Sequence, residues 1–212
     1  MKKRLNSESI ISAVLTITFL FVVPASSYTE TDITPKIQII KSALLFDRRA
    51  LTSSLDVSLK NVSSDVLLTP IKVLIESISD TSVTVANADG YTFDGKPYFN
   101  YETPSEQILP SSISSPKKWV FNNPKAVRFT YTCNVVGGIP DAAGTIGPGG
   151  GTVEVSNPTS PLVGVKIVIP PGALIQNVAI TVARTEDSSI IPKGYDPAGP
   201  IISLGPSGIS FL

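Results

Sequence analysis

Asn87, Asp89 and Asp94, in the stretch NADGYTFDG, come closest of any residues in this 212-residue chain to a ligating set. Three oxygen-bearing side chains lie within eight positions, and Gly90 and Gly95 allow the chain to turn around them. Oxygen donors of this kind suit a hard cation such as calcium, which takes about six to eight oxygens in a flexible shell. The spacing is not that of an EF-hand: with Asn87 and Asp89 in the third and fifth places, the first is Val85 and the twelfth Lys96. Two readings stay open. One is a calcium loop completed by backbone carbonyls, and the other, favoured, is a hairpin turn built on Asp-Gly. Calcium is the only cofactor for which ligands are offered, and its binding would order the loop without doing chemistry.

The other candidate chemistries fail on residue type. Histidine is absent, which removes the commonest general base and the commonest metal ligand, so no Ser-His-Asp triad can be assembled. Cys133 is the only cysteine, so neither an internal disulfide nor a multi-thiolate zinc site is available. The run GPGGGT, Gly147 to Thr152, has the glycines of a phosphate cradle, but VEVSN follows where such a loop needs a lysine and a helix start. Glu186 and Asp187 are adjacent in a turn with no third group to support acid–base work. No catalytic residue is expected, and the chain is read as a non-enzyme.

Composition limits the partners. Lysine plus arginine equals aspartate plus glutamate at 17 each, so the basic excess that marks nucleic-acid binding is missing. The first residues are set apart from the rest. MKKR precedes Ile10 to Val23, fourteen residues without a charge, and PASSYTE follows. That order is expected of a secretory signal peptide over 1–27, with Ala25 and Ser27 as the small pair before the cut; the other reading is an uncleaved anchor helix. The apolar run is shorter than the roughly 20 residues of a membrane-spanning helix, so no membrane contact is expected after cleavage. Removing the leader takes away three bases and Glu8, leaving 14 bases against 16 acids, a slightly acidic exported product of bacterial style. In a eukaryotic source, Asn61 in NVS would be a glycosylation acceptor.

The elements that must position these residues are strands. In LTSSLDVSLKN, Leu55, Val57 and Leu59 alternate with Asp56, Ser58 and Lys60; in TPIKVLIESI, Ile71, Val73 and Ile75 alternate with Lys72, Leu74 and Glu76. KIQIIKSALLFD, TSVTVANA, KPYFNY, KKWVF and AVRFTYTCNVV complete seven runs separated by turn-forming residues, a pattern that suits an antiparallel sandwich. In the last run Val127, Phe129, Tyr131 and Cys133 share one face, which makes Cys133 a small core residue. Trp119 reads as a packed aromatic. The glycine-rich stretch Gly137 to Gly151 breaks the pattern and marks a boundary. Beyond it GTVEVSN, VGVKIVIP, NVAITVAR and GPIISLGPSGISFL are again strands and turns. In IPPGAL, Pro170 ends a ladder, Pro171 and Gly172 make a tight turn, and Ala173 and Leu174 return to the core.

GTIGPGGGTVEV, VKIVIPPGAL, ITVARTED and GPIISLGPSGISF, in this order and spacing, resemble the opening two-thirds of the domain shared by zonula occludens proteins, netrin receptors and ankyrins, the ZU-five domain. The resemblance covers Gly144 to Leu212 and implies a β-sandwich of the kind strung into multi-domain surface proteins. The family's self-cleavage needs a histidine-phenylalanine-serine site and does not carry over. In the family LGPSGISF leads into a further strand, so the second domain is expected to be incomplete at Leu212. LDVSLKNVSSDVLLTPIKVLIESI, VTVANADGYTFDGKPYFNY and NNPKAVRFTYTCNV are similar to an immunoglobulin-like module of bacterial exported proteins, which implies a spacer or adhesion role.

The expectation is therefore an all-β chain: signal peptide 1–27, an immunoglobulin-like antiparallel β-sandwich over 36–136, a linker over 137–143, and a ZU-five-like sandwich over 144–212. Its function is expected to be structural or adhesive at the cell surface or outside the cell, with a protein or polysaccharide partner and no nucleic acid. An alternative is a polysaccharide- or calcium-binding module, with Tyr91, Tyr98, Tyr101 or Trp119 as stacking platforms, attached to a hydrolase whose catalytic domain lies elsewhere.

Overall fold

The computed structural model describes residues 28–185, 191, 197 and 199–212. The expected leader and the pair Glu186 and Asp187 lie outside the described residues. The chain is all-β with several antiparallel sheets. In order the strands are β1 (Thr31–Asp32), β2 (Ile37–Lys41), β3 (Leu45–Asp47), β4 (Thr52–Asn61), β5 (Leu67–Ile78), β6 (Thr84–Val85), β7 (Gly90–Tyr91) and β8 (Pro97–Tyr101). They continue with β9 (Gln107–Ile108), β10 (Lys117–Asn122), β11 (Tyr131–Gly138), β12 (Ala142–Ile146), β13 (Gly151–Glu154), β14 (Lys166–Ile169), β15 (Val178–Thr185) and β16 (Ile201–Gly205).

Two sheets face each other in the first part of the chain. One runs β1-β11-β5-β8-β7 with β9 also on β5; the other runs β2-β4-β10-β6 with β3 also on β4. The alternation in β4 and β5 explains why they pack. Leu55, Val57, Leu59, Ile71, Val73 and Ile75 are buried, while Asp56 is exposed and Lys72, Leu74 and Glu76 are half-buried. Each sheet thus presents one apolar face, and a pair of such faces excludes water at roughly 25 cal/mol per Å² of apolar surface buried. Trp119 and Phe121 of β10, Phe99 and Tyr101 of β8 and Val135 of β11 fill the space between them.

Several strands differ from the sequence reading, each for a physical reason. The run from Lys36 to Asp47 splits into β2 and β3, which lie end to end along the same side of β4. The Ser42 amide donates to the Asp56 carbonyl at 2.9 Å and the Asp56 amide to Ser42 Oγ at 2.9 Å, so the ladder is interrupted between them. TSVTVANA keeps only the two residues of β6, because Asp80 and Ser82 close a turn ahead of it. Residues 127–130 precede β11 in irregular conformation, held where the Thr130 amide donates to Ser79 Oγ and the Asn123 amide group brackets Val127. Their inward face is nonetheless as expected: Val127, Phe129, Tyr131 and Cys133 all pack on the core. Asn61 is 0% exposed, and its amide nitrogen donates to the carbonyls of Asp65 at 2.7 Å and Ile108 at 3.1 Å. A side chain so enclosed is no glycosylation acceptor; it braces the turn after β4.

The stretch expected to be a linker is mostly strand. Gly137 and Gly138 end β11, and Ala142 and Ala143 begin β12, leaving Ile139, Pro140 and Asp141 as the connection. Glycine-rich sequence reads as a break, but β11 accepts these glycines because long-range partners fill the space over them. Past the connection, a three-stranded sheet β12-β15-β16 and the pair β13-β14 enclose a second cluster: Ile146, Val153, Val155, Leu162, Ile169, Leu174, Ile180 and Val182. It shares no member with the first cluster. The corner at Pro170 forms as expected. The Ala173 amide donates to the Pro170 carbonyl at 3.3 Å across Pro171 and Gly172, and Gly172 sits at φ +82°, the left-handed angle at the third turn position that favours glycine. Ala173 and Leu174 are buried just after it.

Candidate functional site

The segment from Ala86 to Lys96 carries the three oxygen donors, and its job in the fold is a crossing. Strand β6 pairs with β10 in one sheet and β7 pairs with β8 in the other, so the chain changes sheets between Val85 and Gly90. Asn87 fixes the departure side: its amide nitrogen donates to the Lys118 carbonyl at 2.8 Å, and its Oδ1 accepts the Val120 amide at 2.8 Å. Asp89 fixes the arrival side. Its Oδ2 accepts the Asn100 amide at 2.7 Å and Lys117 Nζ at 2.5 Å, while Lys117 also reaches the Asn100 carbonyl at 2.8 Å. Because Lys117 begins β10 and Asn100 lies in β8, this ion pair staples the two sheets together.

Asp94 does something else. It sits at the tip of the β7–β8 hairpin, where Thr92 Oγ1 donates to its Oδ1 at 2.5 Å and the Gly95 amide donates to the Thr92 carbonyl at 2.9 Å. The Thr92 hydroxyl holds the Asp94 carboxyl below the usual carboxylate range. Lys96 Nζ lies 3.4 Å from Asp94 and 2.5 Å from Glu76 on β5. Hydrogen bonding to Glu76 and then to Asp94 raises the Lys96 ammonium above its ordinary value. The Asp-Gly hairpin is therefore built as the turn reading has it. Each of the three proposed calcium donors holds protein partners, and among the described residues no group of three or more acidic, histidine or cysteine side chains comes together as a metal set.

A groove of about 460 Å³ opens beside the hairpin, lined by Ile75, Val83, Val85, Tyr91, Asp94 and Lys96 among others. It lies where β6 and β7, the last strands of the two sheets, part from one another. Asp94 faces this groove, whereas Asn87 and Asp89 do not line it. Glu76, which shares Lys96 with Asp94, comes from a strand some twenty residues earlier and carries no local signal of a site.

The aromatic candidates separate in the same way. Tyr91 is 64% exposed at the groove, and Tyr98 is half-buried with Lys72 Nζ 5.3 Å from its ring centre. Tyr101 and Trp119 are core residues, so neither is an exposed platform. Trp119 lies against Phe99 with ring centres 4.4 Å apart and planes 6° apart, and its Nε1 donates to the Tyr101 hydroxyl at 3.0 Å. That hydroxyl donates in turn to the Val57 carbonyl at 3.1 Å, and burial pushes its pKa upward. Burial also pushes the Cys133 thiol up to about 11, so it stays protonated at neutral pH and behaves as an apolar filler.

No protein-family model matches this chain, and no curated protein matches it.

Proposed function

We propose that the chain is an exported, non-catalytic module of the bacterial cell surface or exterior, in which two β-sandwich domains, immunoglobulin-like over 36–136 and ZU-five-like from 144, act as a stiff spacer. The observation that carries this reading is the joint. Two separate apolar clusters are connected by only three residues, and the joint is bonded from both sides. Asp141 in the connection accepts the Ser160 hydroxyl at 2.5 Å and the Arg184 amide at 3.0 Å, while Gln107 Nε2 of the first cluster's β9 donates to the Ala179 carbonyl of β15 at 3.1 Å. A flexible tether between independent domains would instead be long, polar and free of such bonds. Adhesion is favoured by the β2–β3 edge, where Ile40, Leu44, Leu45 and Phe46 are exposed together beside a strand edge that no other described strand pairs.

A second reading is favoured by the groove. An exposed ring, Tyr91, beside a carboxylate and an ammonium is the chemistry that stacks on a sugar face and hydrogen-bonds its hydroxyls, so a polysaccharide partner fits this place. A calcium ion on Asp94 would have to displace Lys96 and the Thr92 hydroxyl.

Export is tested by expressing the whole chain in a bacterial host and sequencing the N-terminus of the product outside the cytoplasm. The expected first residue is Tyr28. A product that keeps Met1, or that stays in the cytoplasm, contradicts the assignment of 1–27 as a cleaved leader.

A further inference from the structure

We propose that the five residues Tyr28 to Asp32 form a latch that locks the two β units in one orientation, and that opening it turns the Ile139–Asp141 connection into a hinge. This inference rests on the spacer reading and names what governs the spacer's stiffness.

The segment touches both units along its length. Thr31 and Asp32 pair with Gly137 and Val136 at the end of β11, and Lys72 of β5 holds Glu30 at 2.5 Å; these contacts tie it to the first unit. Tyr28 forms an antiparallel bridge with Thr185, and Arg184 donates to Thr29 Oγ1 at 3.1 Å; these tie it to β15 of the second unit. The Tyr28 ring lies across the seam. Its hydroxyl donates to the Leu68 carbonyl at 2.9 Å and also contacts the Pro70 carbonyl. The ring covers Gly138, the residue just before the connection, so closely that a Cβ there would lie 2.2 Å from Tyr28 Cδ2. A glycine at that place has a reason in space: the ring needs the volume.

The seam also has a weak point. A cavity of about 20 Å³, lined by Tyr28, Leu68, Gln107, Thr181 and Gly205, lies between the units, and the buried Gln107 Oε1 there has no hydrogen-bond partner among the described residues. That volume is the size of one water site. With Tyr28 withdrawn, the cavity opens to solvent, the Gln107 amide oxygen gains water, and the bonds of Asp141 and Gln107 Nε2 still cross the joint. No residue of the latch belongs to either buried apolar cluster, so the segment can open without unfolding either core.

The test uses residues 28–212 with an endoprotease that cuts before aspartate, whose target in the connection is Asp141, compared with the core-flanking Asp56, Asp65 and Asp80. Tyr28→Ala is expected to speed cutting at Asp141 by about tenfold, in line with losing the part-buried hydroxyl bonds and a packed ring, and to leave the three core sites protected. Gly138→Val, which takes the ring's space, is expected to produce the same selective cutting. Combining the two is expected to add little, because both remove one contact. Should Tyr28→Ala be cut at every aspartate, Tyr28→Phe decides: it keeps the ring and loses the hydroxyl bonds, and selective cutting at Asp141 supports the latch while protection at Asp141 overturns it. Unchanged cutting at Asp141 in Tyr28→Ala overturns it directly. Rapid cutting at Asp141 in the unaltered chain, with both cores protected, defeats the spacer reading before the latch is in question.

Discussion

Replacing Trp119 with alanine is expected to lower the stability of the first unit by about 3–5 kcal/mol, the range for deleting a large aromatic from a packed core. Three losses combine at this one position. The side chain is 0% exposed, so its removal leaves a cavity between the sheets. The stacked contact with Phe99 disappears, which is worth about 0.5–1.5 kcal/mol beyond area. The Tyr101 hydroxyl loses the indole N–H that donates to it, although it keeps its own bond to the Val57 carbonyl. Since a whole domain is stable by only about 5–15 kcal/mol, the substitution removes a large share of the total. Urea unfolding followed by far-UV circular dichroism checks it through a lower midpoint at unchanged slope. Trp119→Phe is expected to recover part of the loss, because it restores the stack and most of the volume but not the N–H donor. A midpoint unmoved by Trp119→Ala contradicts the packing described for β8 and β10.

Leu162→Ala is expected to cost about 2–5 kcal/mol, and to cost it in the second unit alone. Leu162 is 2% exposed in the loop between β13 and β14, where its amide donates to Ser160 Oγ at 3.0 Å. Ser160 in turn donates to Asp141. The loop is thus pinned to the connection, and Leu162 is the apolar stopper it delivers into the cluster of Ile146, Val153 and Val182. Because the two clusters share no residue, the single tryptophan reports only on the first. Leu162→Ala should therefore separate unfolding into two steps: loss of strand signal first, with Trp119 fluorescence unchanged until the second. One coincident transition by both probes, shifted down, would show that the units unfold together.

How far these features are legible in the sequence depends on how local their cause is. The buried faces of β4 and β5 follow from alternation, since a strand must turn every second side chain the same way. The Pro170–Ala173 corner follows from turn chemistry at three consecutive residues. Cys133 as a core residue follows from the parity of its run. What fails to show is what distant partners impose. The gap between β2 and β3 is made by Ser42 bonding Asp56 fourteen residues on, and Gly137 and Gly138 stay in a strand because β5 and Tyr28 lie over them. Asn87 and Asp89 look like ligands in their own segment, but their partners Lys117, Lys118, Asn100 and Val120 come from β8 and β10. Only Asp94, whose bonds to Thr92 and Lys96 are local, behaves as its neighbourhood in the sequence implies. The latch is invisible for the same reason, as Tyr28 and Gly138 are 110 residues apart in a chain that gives no local hint of their contact.

Small-angle X-ray scattering of residues 28–212 reads whether the two units move as one stiff body. A single fixed arrangement of the units is expected to reproduce the whole profile. A profile that needs an ensemble of inter-unit orientations, with each unit intact, would contradict it.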